Sequence, residues 1–136
     1  MIPRYTRPEM GRIWSEENSF QKWLDIEVLA AEALALMGKV PKAAIGRIRK
    51  NARFNVERIR EIEREVKHEV IAFLSSVAES IGDDARFLHL GMTSSDVMDT
   101  ALAIQLTEAA AILIQDVQSL MKVLRRQAYK YKSTVM

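Results

Sequence analysis

The stretch that decides the fold is residues 93–132, TSSDVMDTALAIQLTEAAAILIQDVQSLMKVLRRQAYKYK, which contains neither proline nor glycine. A helix from about Asp96 to about Lys132 would be about 55 Å long, because each residue adds ~1.5 Å. That is longer than a compact domain of this size is wide. Thr93 to Asp96 match the capping-box pattern that begins a helix, with Asp in the place of Glu. The segment therefore predicts one long helix with a defined start.

The apolar residues of this helix predict that it needs several partners. A helix that is apolar on more than one face must be buried by more neighbours than this chain supplies. We therefore expect the helix either to join copies of the chain or to belong to a larger helical bundle. The stripe predicted to face a core is Met98, Leu102, Ala109, Leu113, Val117, Leu120, Leu124 and Ala128, and further apolar surface comes from Ile104, Ala111, Ile112, Ile114, Met121 and Val123.

The rest of the chain predicts further helices that glycine and proline separate. Apolar residues recur there every three or four positions, as they do on the buried face of a helix. The predicted helices span residues 15–37, 41–51 and 55–82, and residues 83–91 are predicted as a loop. The fold class is therefore all-α. We expect an N-terminal helical domain over residues 1–93 and the start of a central helical-bundle domain over residues 94–136.

The composition indicates a globular protein and excludes several classes. The chain has 136 residues, 49% of them hydrophobic, with a formal net charge of +2 and no cysteine. Disulfides and Cys-ligated metal centres are thus excluded, and a cytoplasmic protein is expected. The small charge and the lack of a DNA-binding motif argue against nucleic acid as a partner. No uncharged apolar stretch approaches the ~20 residues of a membrane span, so no membrane partner is expected.

The two histidines each have two interpretations. His68 falls in the middle of the predicted 55–82 helix, opposite its apolar stripe and on the same side as Ala72, Ser75 and Glu79. It is either an exposed surface residue or part of the lining of a cleft. His89 lies in the loop before the long helix, where it either packs against apolar neighbours or belongs to a site.

Two groups of side chains are suited to anions. Thr93, Ser94 and the serine after them place three hydroxyls at the positive end of a very long helix, whereas a cap needs only one. Arg4 and Tyr5 offer a guanidinium and a phenol, which suit a phosphate. The alternatives are a simple helix cap and an exposed N-terminal arginine. The residues alone therefore predict a helical, anion-binding subunit that oligomerises.

Six short motifs occur in one order along the chain. They are Arg4-Tyr5, Arg7-Pro8-Glu9-Met10, Ile13-Trp14, Lys67-His68-Glu69-Val70, His89-Leu90-Gly91-Met92-Thr93-Ser94-Ser95-Asp96 and Asp99-Thr100-Ala101. Together they resemble the adenylosuccinate lyase family of the fumarase/aspartase superfamily. The likeness covers essentially the whole chain, and the His-x-Gly-x-Thr-Ser-Ser-Asp element is its most specific part.

The resemblance implies a particular assembly and reaction. The family is an all-α homotetramer whose central bundle is built from long helices, and its active sites draw residues from three subunits. Its reaction is a β-elimination that releases fumarate from adenylosuccinate, to give AMP, or from the succinyl-aminoimidazole carboxamide ribotide of purine biosynthesis. The resemblance implies no metal and no organic cofactor. The expected partners are therefore a purine nucleotide substrate and further copies of the chain.

The resemblance also assigns substrate-binding residues near the start of the chain and just before the long helix. Arg4 and Tyr5 resemble the pair that holds the nucleotide phosphate, and His89 matches a histidine associated with the phosphate side. Thr93 and Ser94 resemble the hydroxyl pair that grips a succinyl carboxylate.

A third group is the triplet Lys67, His68 and Glu69, which resembles the lining of the nucleotide and succinyl pocket. His68 takes a supporting catalytic role there. The family commonly has Arg-His-Asp or Asn-His-Asp at these positions. Lysine cannot make the bidentate fork of arginine, and glutamate reaches one methylene further than aspartate. The contacts of Lys67 and Glu69 are therefore expected to differ from the family pattern.

The resemblance places the general acid and the general base beyond residue 136. We therefore expect the chain to be the N-terminal part of such a lyase and to be inactive alone. Two alternatives stay open. One is a non-catalytic helical oligomerisation module, and the other is a different lyase of the superfamily, such as one that acts on argininosuccinate.

Overall fold

The computed structural model describes residues 2–135, and every regular element in that range is a helix. The predicted all-α fold class is confirmed. The division into domains over residues 1–93 and 94–136, whose outermost residues lie outside the described range, stays a prediction. The elements are α1 (Pro8–Ile13), α2 (Glu16–Leu36), α3 (Lys42–Asn51), α4 (Val56–Val66), α5 (Glu69–Ile81) and α6 (Ser94–Tyr131), with 3-10 helices at Pro3–Tyr5 and Gly82–Phe87.

Polar side chains cap the helices where the sequence predicts that they begin. The Ser15 hydroxyl accepts a hydrogen bond from the backbone N–H of Asn18 at 3.2 Å. The Asn55 side-chain oxygen accepts one from the N–H of Arg58 at 2.9 Å. Each bond satisfies a backbone donor that the first turn of a helix leaves without a partner.

Four aromatic rings form the centre of the core. Phe20 and Trp23 of α2 meet Phe73 of α5, and Phe54 closes the cluster from the segment before α4. The ring centroids of Phe20 and Phe73 are 5.8 Å apart with nearly parallel planes. Trp23 stands edge-on to Phe73 at 5.5 Å. These rings and the aliphatic residues around them hold α2, α3, α5 and the start of α6 together.

The predicted single helix over residues 55–82 is wrong, because α4 and α5 form a helical hairpin. Lys67 is left-handed, with φ of 54°, and ends α4. Arg58 of α4 and Glu79 of α5 make an ion pair at 2.8 Å. In a continuous helix these residues would be about 32 Å apart, at ~1.5 Å per residue. His68 therefore lies at a turn, and Ala72, predicted beside it on a polar face, is fully buried.

The predicted loop over residues 83–91 is also wrong in its first part, which is the 3-10 helix Gly82–Phe87. The Asp84 carboxylate is largely buried and accepts two hydrogen bonds of 2.7 Å from the guanidinium of Arg47 on α3. This bidentate pair ties the segment to α3.

The predicted long helix is confirmed as α6, with 38 residues, and the predicted core-facing stripe is right at Ala109 but wrong at Met98 and Leu102. Met98 and Leu102 are 37% and 46% exposed. The residues of α6 that pack on the core are spaced four positions apart, and one of them is polar. It consists of Val97, Ala101, Gln105 and Ala109.

Polar contacts fix the first half of α6 to the N-terminal helices. The buried Gln105 amide donates hydrogen bonds to the carbonyl of Ile13 at 2.6 Å and to the hydroxyl of Ser19 at 3.0 Å. Lys22 of α2 pairs with Glu108 at 2.6 Å. The position of α6 is therefore specified by hydrogen bonds as well as by apolar contacts.

The second half of α6 projects from the rest of the chain. Every residue from 113 to 135 is exposed, although many of these side chains are apolar. By length and composition α6 could cross a membrane, since one 18-residue window has a mean hydropathy of 1.6. The core helix of a helical bundle meets the same criterion, so this property is weak evidence for a membrane span.

Candidate active-site residues

Arg4 and Tyr5 lie together in the N-terminal 3-10 helix. The Arg4 guanidinium carbon is 4.8 Å from the centroid of the Tyr5 ring, a cation–π distance. Both side chains are exposed. Arg7 anchors the segment through an ion pair with Asp116 of α6. The segment therefore presents a guanidinium and a phenol side by side on the surface of the molecule.

Lys67, His68 and Glu69 form the turn between α4 and α5 rather than the face of a helix. His68 is the N-cap of α5, and its Nδ1 accepts a hydrogen bond from the backbone N–H of Ile71 at 3.3 Å. An acceptor nitrogen carries no proton, so the neutral ring holds its proton on Nε2. The exposed ring of His68 therefore offers an N–H donor to a ligand.

Glu69 is the first residue of α5 and lies beside this histidine. Partial desolvation is the largest cause that raises the pKa of the Glu69 carboxyl above its usual range, and the carboxylates of Glu63 and Glu16 add to it. A positive charge on His68, which the ring carries only when both nitrogens are protonated, acts in the opposite direction. The turn thus combines a ring donor with a carboxyl that gains a proton more readily than an ordinary glutamate.

His89 makes the most buried polar contact of the candidate residues. Its Nδ1 lies 2.6 Å from one carboxylate oxygen of Glu27, and its backbone N–H donates to the other at 2.7 Å. Glu27 is on α2 and is fully buried. Sequence reasoning missed Glu27. The sequence indicates its role only through its position, because Glu27 is an acidic residue on the same helix face as the buried residues Phe20, Leu24 and Ala31.

Thr93 and Ser94 begin α6, as predicted. The Asp96 carboxylate accepts a hydrogen bond from the backbone N–H of Thr93 at 2.7 Å and from its hydroxyl at 3.2 Å. The cap thus uses only Thr93 and Asp96. The hydroxyls of Ser94 and Ser95 make no hydrogen bond with any other residue in the range 2–135. Two hydroxyls at the positive end of a 38-residue helix therefore have donors to offer an anion.

The structure leaves the candidate residues in three separate groups. They are the Arg4–Tyr5 pair, the turn at residues 67–69, and the segment from His89 to Ser94. Within residues 2–135, no hydrogen bond or ion pair connects one group with another. In the same range, no three His, Asp or Glu side chains are arranged to hold a metal ion.

Comparison with known proteins supports the resemblance seen in the sequence. Over its whole length the chain is 48% identical to the adenylosuccinate lyase of Synechocystis sp. and 46% identical to that of Bacillus subtilis. It spans 32% of the length of each of these relatives. A solved structure described as a fumarate lyase from Mesorhizobium sp. BNC1 matches 89% of this chain and 29% of its own, with a TM-score of 0.82 and 25% identity.

A protein-family model described as lyase matches residues 4–136. All three groups of candidate residues fall within that match. The resemblance of the sequence to adenylosuccinate lyases is therefore confirmed, and the chain belongs to the lyase family.

Proposed function

We propose that the chain is the N-terminal part of an adenylosuccinate lyase that acts in the cytoplasm. The whole enzyme would release fumarate from adenylosuccinate and from the succinyl-aminoimidazole carboxamide ribotide, without a metal or an organic cofactor. The observation that carries this proposal is the start of α6. There the cap is complete without Ser94, whose hydroxyl lies at the positive end of the helix and makes no bond within residues 2–135. A succinyl carboxylate needs donors of this kind.

The other groups supply the remaining interactions that the reaction requires. Arg4 and Tyr5 would hold the nucleotide phosphate through a guanidinium and a phenol. His68 would donate its Nε2–H to the substrate from the exposed turn. The chemistry is removal of a proton beside a carboxylate followed by cleavage of a C–N bond. Catalysis then depends on positioning, proton transfer and stabilisation of an anion.

We further propose that the active site is complete only in a homotetramer. The three groups of candidate residues do not contact one another within residues 2–135, which fits a site shared among subunits. The exposed second half of α6 offers the surface for assembly, because Leu113, Val117 and Leu120 are each more than half exposed. Apolar surface on this scale marks an interface in a soluble protein.

A chimera tests the proposed function. This chain would replace the corresponding third of the Bacillus subtilis adenylosuccinate lyase, and cleavage of adenylosuccinate would be followed by absorbance. We expect an active enzyme. His68→Ala should lower kcat/KM by about 10- to 100-fold, because it removes a hydrogen bond to the charged substrate. Ser94→Ala should lower kcat/KM by about 10- to 100-fold, since a hydrogen bond to a charged group contributes ~1.5–3 kcal/mol.

Thr107→Ala is the matched control, because the Thr107 hydroxyl donates to the carbonyl of Ala103 within α6 and lies before the exposed half of the helix. It should leave the rate unchanged. An active chimera in which His68→Ala has no effect would favour the non-catalytic oligomerisation module. A chimera that cleaves argininosuccinate but not adenylosuccinate would favour a different lyase of the superfamily.

A further inference from the structure

We infer that Glu27 is a positioning residue that fixes the tautomer and the direction of the His89 ring. The side chain of Glu27 is fully inaccessible to solvent. A buried carboxylate is costly unless hydrogen bonds compensate its lost hydration. Both oxygens of Glu27 are bonded to one residue, His89. The sequence separation of 62 residues shows that the fold, rather than local chain geometry, creates this pair.

The backbone of His89 is held in an uncommon conformation that makes both contacts possible. Its φ is 58°, in the left-handed region that residues with a side chain rarely adopt. In this conformation the N–H and the ring nitrogen Nδ1 reach the same carboxylate, at 2.7 Å and 2.6 Å. Such a conformation persists only where the surroundings hold it in place. The double contact with Glu27 is the interaction that holds it.

The contact determines which ring nitrogen is left for a ligand. A carboxylate only accepts hydrogen bonds, so Nδ1 must carry a proton and donate it. Nε2 is then the nitrogen that is available to a ligand. A carboxylate that orients an imidazole through the opposite nitrogen is a general way to preset a histidine. His68 has the reverse arrangement, because its Nδ1 accepts a hydrogen bond from Ile71.

Solid-state nitrogen NMR on the chain, labelled with 15N only in its two histidines, tests the inference and does not require a monomer in solution. The measurement would be made near pH 9, well above the ordinary histidine pKa of ~6.5. We expect a directly bonded proton on Nδ1 of His89 and none on Nδ1 of His68. A His89 ring whose Nδ1 lacks a proton would overturn the inference. This spectrum of the unmodified chain decides the point even if every variant fails to fold.

Glu27→Gln makes the test sharper, because glutamine has one acceptor where glutamate has two. The backbone N–H of His89 cannot lose its proton, so the amide oxygen should bond to it. The amide N–H then faces Nδ1, and His89 should switch to the Nε2–H tautomer. Glu27→Asp keeps two acceptors and should keep the proton on Nδ1. If Glu27→Gln leaves the tautomer unchanged, Glu27 does not set it.

Glu32→Gln is the matched control, since Glu32 lies on the same helix and pairs with Arg49 instead. It should leave the tautomers of both histidines unchanged.

The role of Nε2 toward the nucleotide phosphate rests on the proposed function. In the active chimera, Glu27→Gln should raise KM by about 10-fold with partial rescue by Glu27→Asp. An unchanged KM would overturn the positioning role. An inactive chimera would count only against the proposed function, because the spectra are recorded on the chain itself.

Discussion

Phe73 lies at the centre of the aromatic cluster and is fully buried. Its ring contacts those of Phe20, Trp23 and Phe54. Phe73→Ala should therefore lower the free energy of unfolding by about 3–5 kcal/mol, as loss of a buried phenyl ring does. Ile71→Ala on the same helix is the control, because Ile71 is 45% exposed and should cost much less. Urea denaturation measures the free energy of unfolding of both variants. Equal losses of stability would contradict the assignment of the core.

At the same scale, the Arg47–Asp84 pair predicts a pH dependence of stability. The hydrogen bonds from Arg47 hold the pKa of the Asp84 carboxyl below its usual range. A carboxyl of this kind stabilises the fold above its unfolded pKa of ~3.9, and the contribution is lost as the pH falls through the folded value. Arg47→Met should therefore lower the urea midpoint at about pH 7, and the difference from the unmodified chain should shrink near pH 3. A difference that stays constant between these pH values would show that the pair does not act through the charge of Asp84.

The hairpin of α4 and α5 is the element that sequence reasoning missed. Val66 and Val70 are four residues apart, so the apolar spacing of a helix continues across the turn. Only the left-handed Lys67 and the cap at His68 reveal the break, and neither is a glycine or a proline. The caps at Ser15, Asn55 and Thr93 were predictable because each depends on a side chain within its own first turn.

The face of α6 and the role of Glu27 were missed for a related reason. Gln105 and Glu27 are buried polar residues, and their burial depends on partners far away in the sequence. The spacing of apolar residues along a helix does not identify buried residues that are polar. The residues alone indicated anion binding by Arg4 and Tyr5 and by the hydroxyls at the positive end of α6. They also marked both histidines as candidates, whereas Lys67, Glu69 and the individual roles came from the family resemblance.

Substitution of Lys67 tests the hairpin directly. In a left-handed position glycine avoids a cost of ~1–2 kcal/mol that other residues carry. Lys67→Gly should therefore be more stable than Lys67→Ala by about 1 kcal/mol. In the interior of a helix the order is the reverse, with glycine ~1 kcal/mol worse than alanine. Arg64, on the exposed side of α4, should show this reverse order and is the control. Chemical denaturation measures the difference in the free energy of unfolding between the two variants. A Lys67→Ala variant that is more stable than Lys67→Gly would contradict the hairpin.

For the molecule as a whole, the exposed part of α6 predicts self-association. Leu113, Leu120 and Leu124 are more than half exposed, so the isolated chain leaves a large apolar surface in water. Sedimentation should show oligomers or aggregates at micromolar concentration. Replacement of Leu113 and Leu120 by glutamate should shift the chain toward the monomer, whereas Gln118→Glu adds a charge without removing apolar surface and should not. A monomeric unmodified chain would contradict this prediction.

Under the proposed function, this chain supplies part of a lyase active site and needs the remainder of the enzyme for catalysis. The most direct test is a fumarate-release assay with adenylosuccinate, first on the chain alone and then after mixing it with the separately expressed remainder of a related adenylosuccinate lyase. Sedimentation of the mixture would verify that the two parts assemble. We expect no fumarate from either part alone and release of fumarate after mixing. Turnover by the chain alone, or an assembled mixture that releases no fumarate, would contradict it.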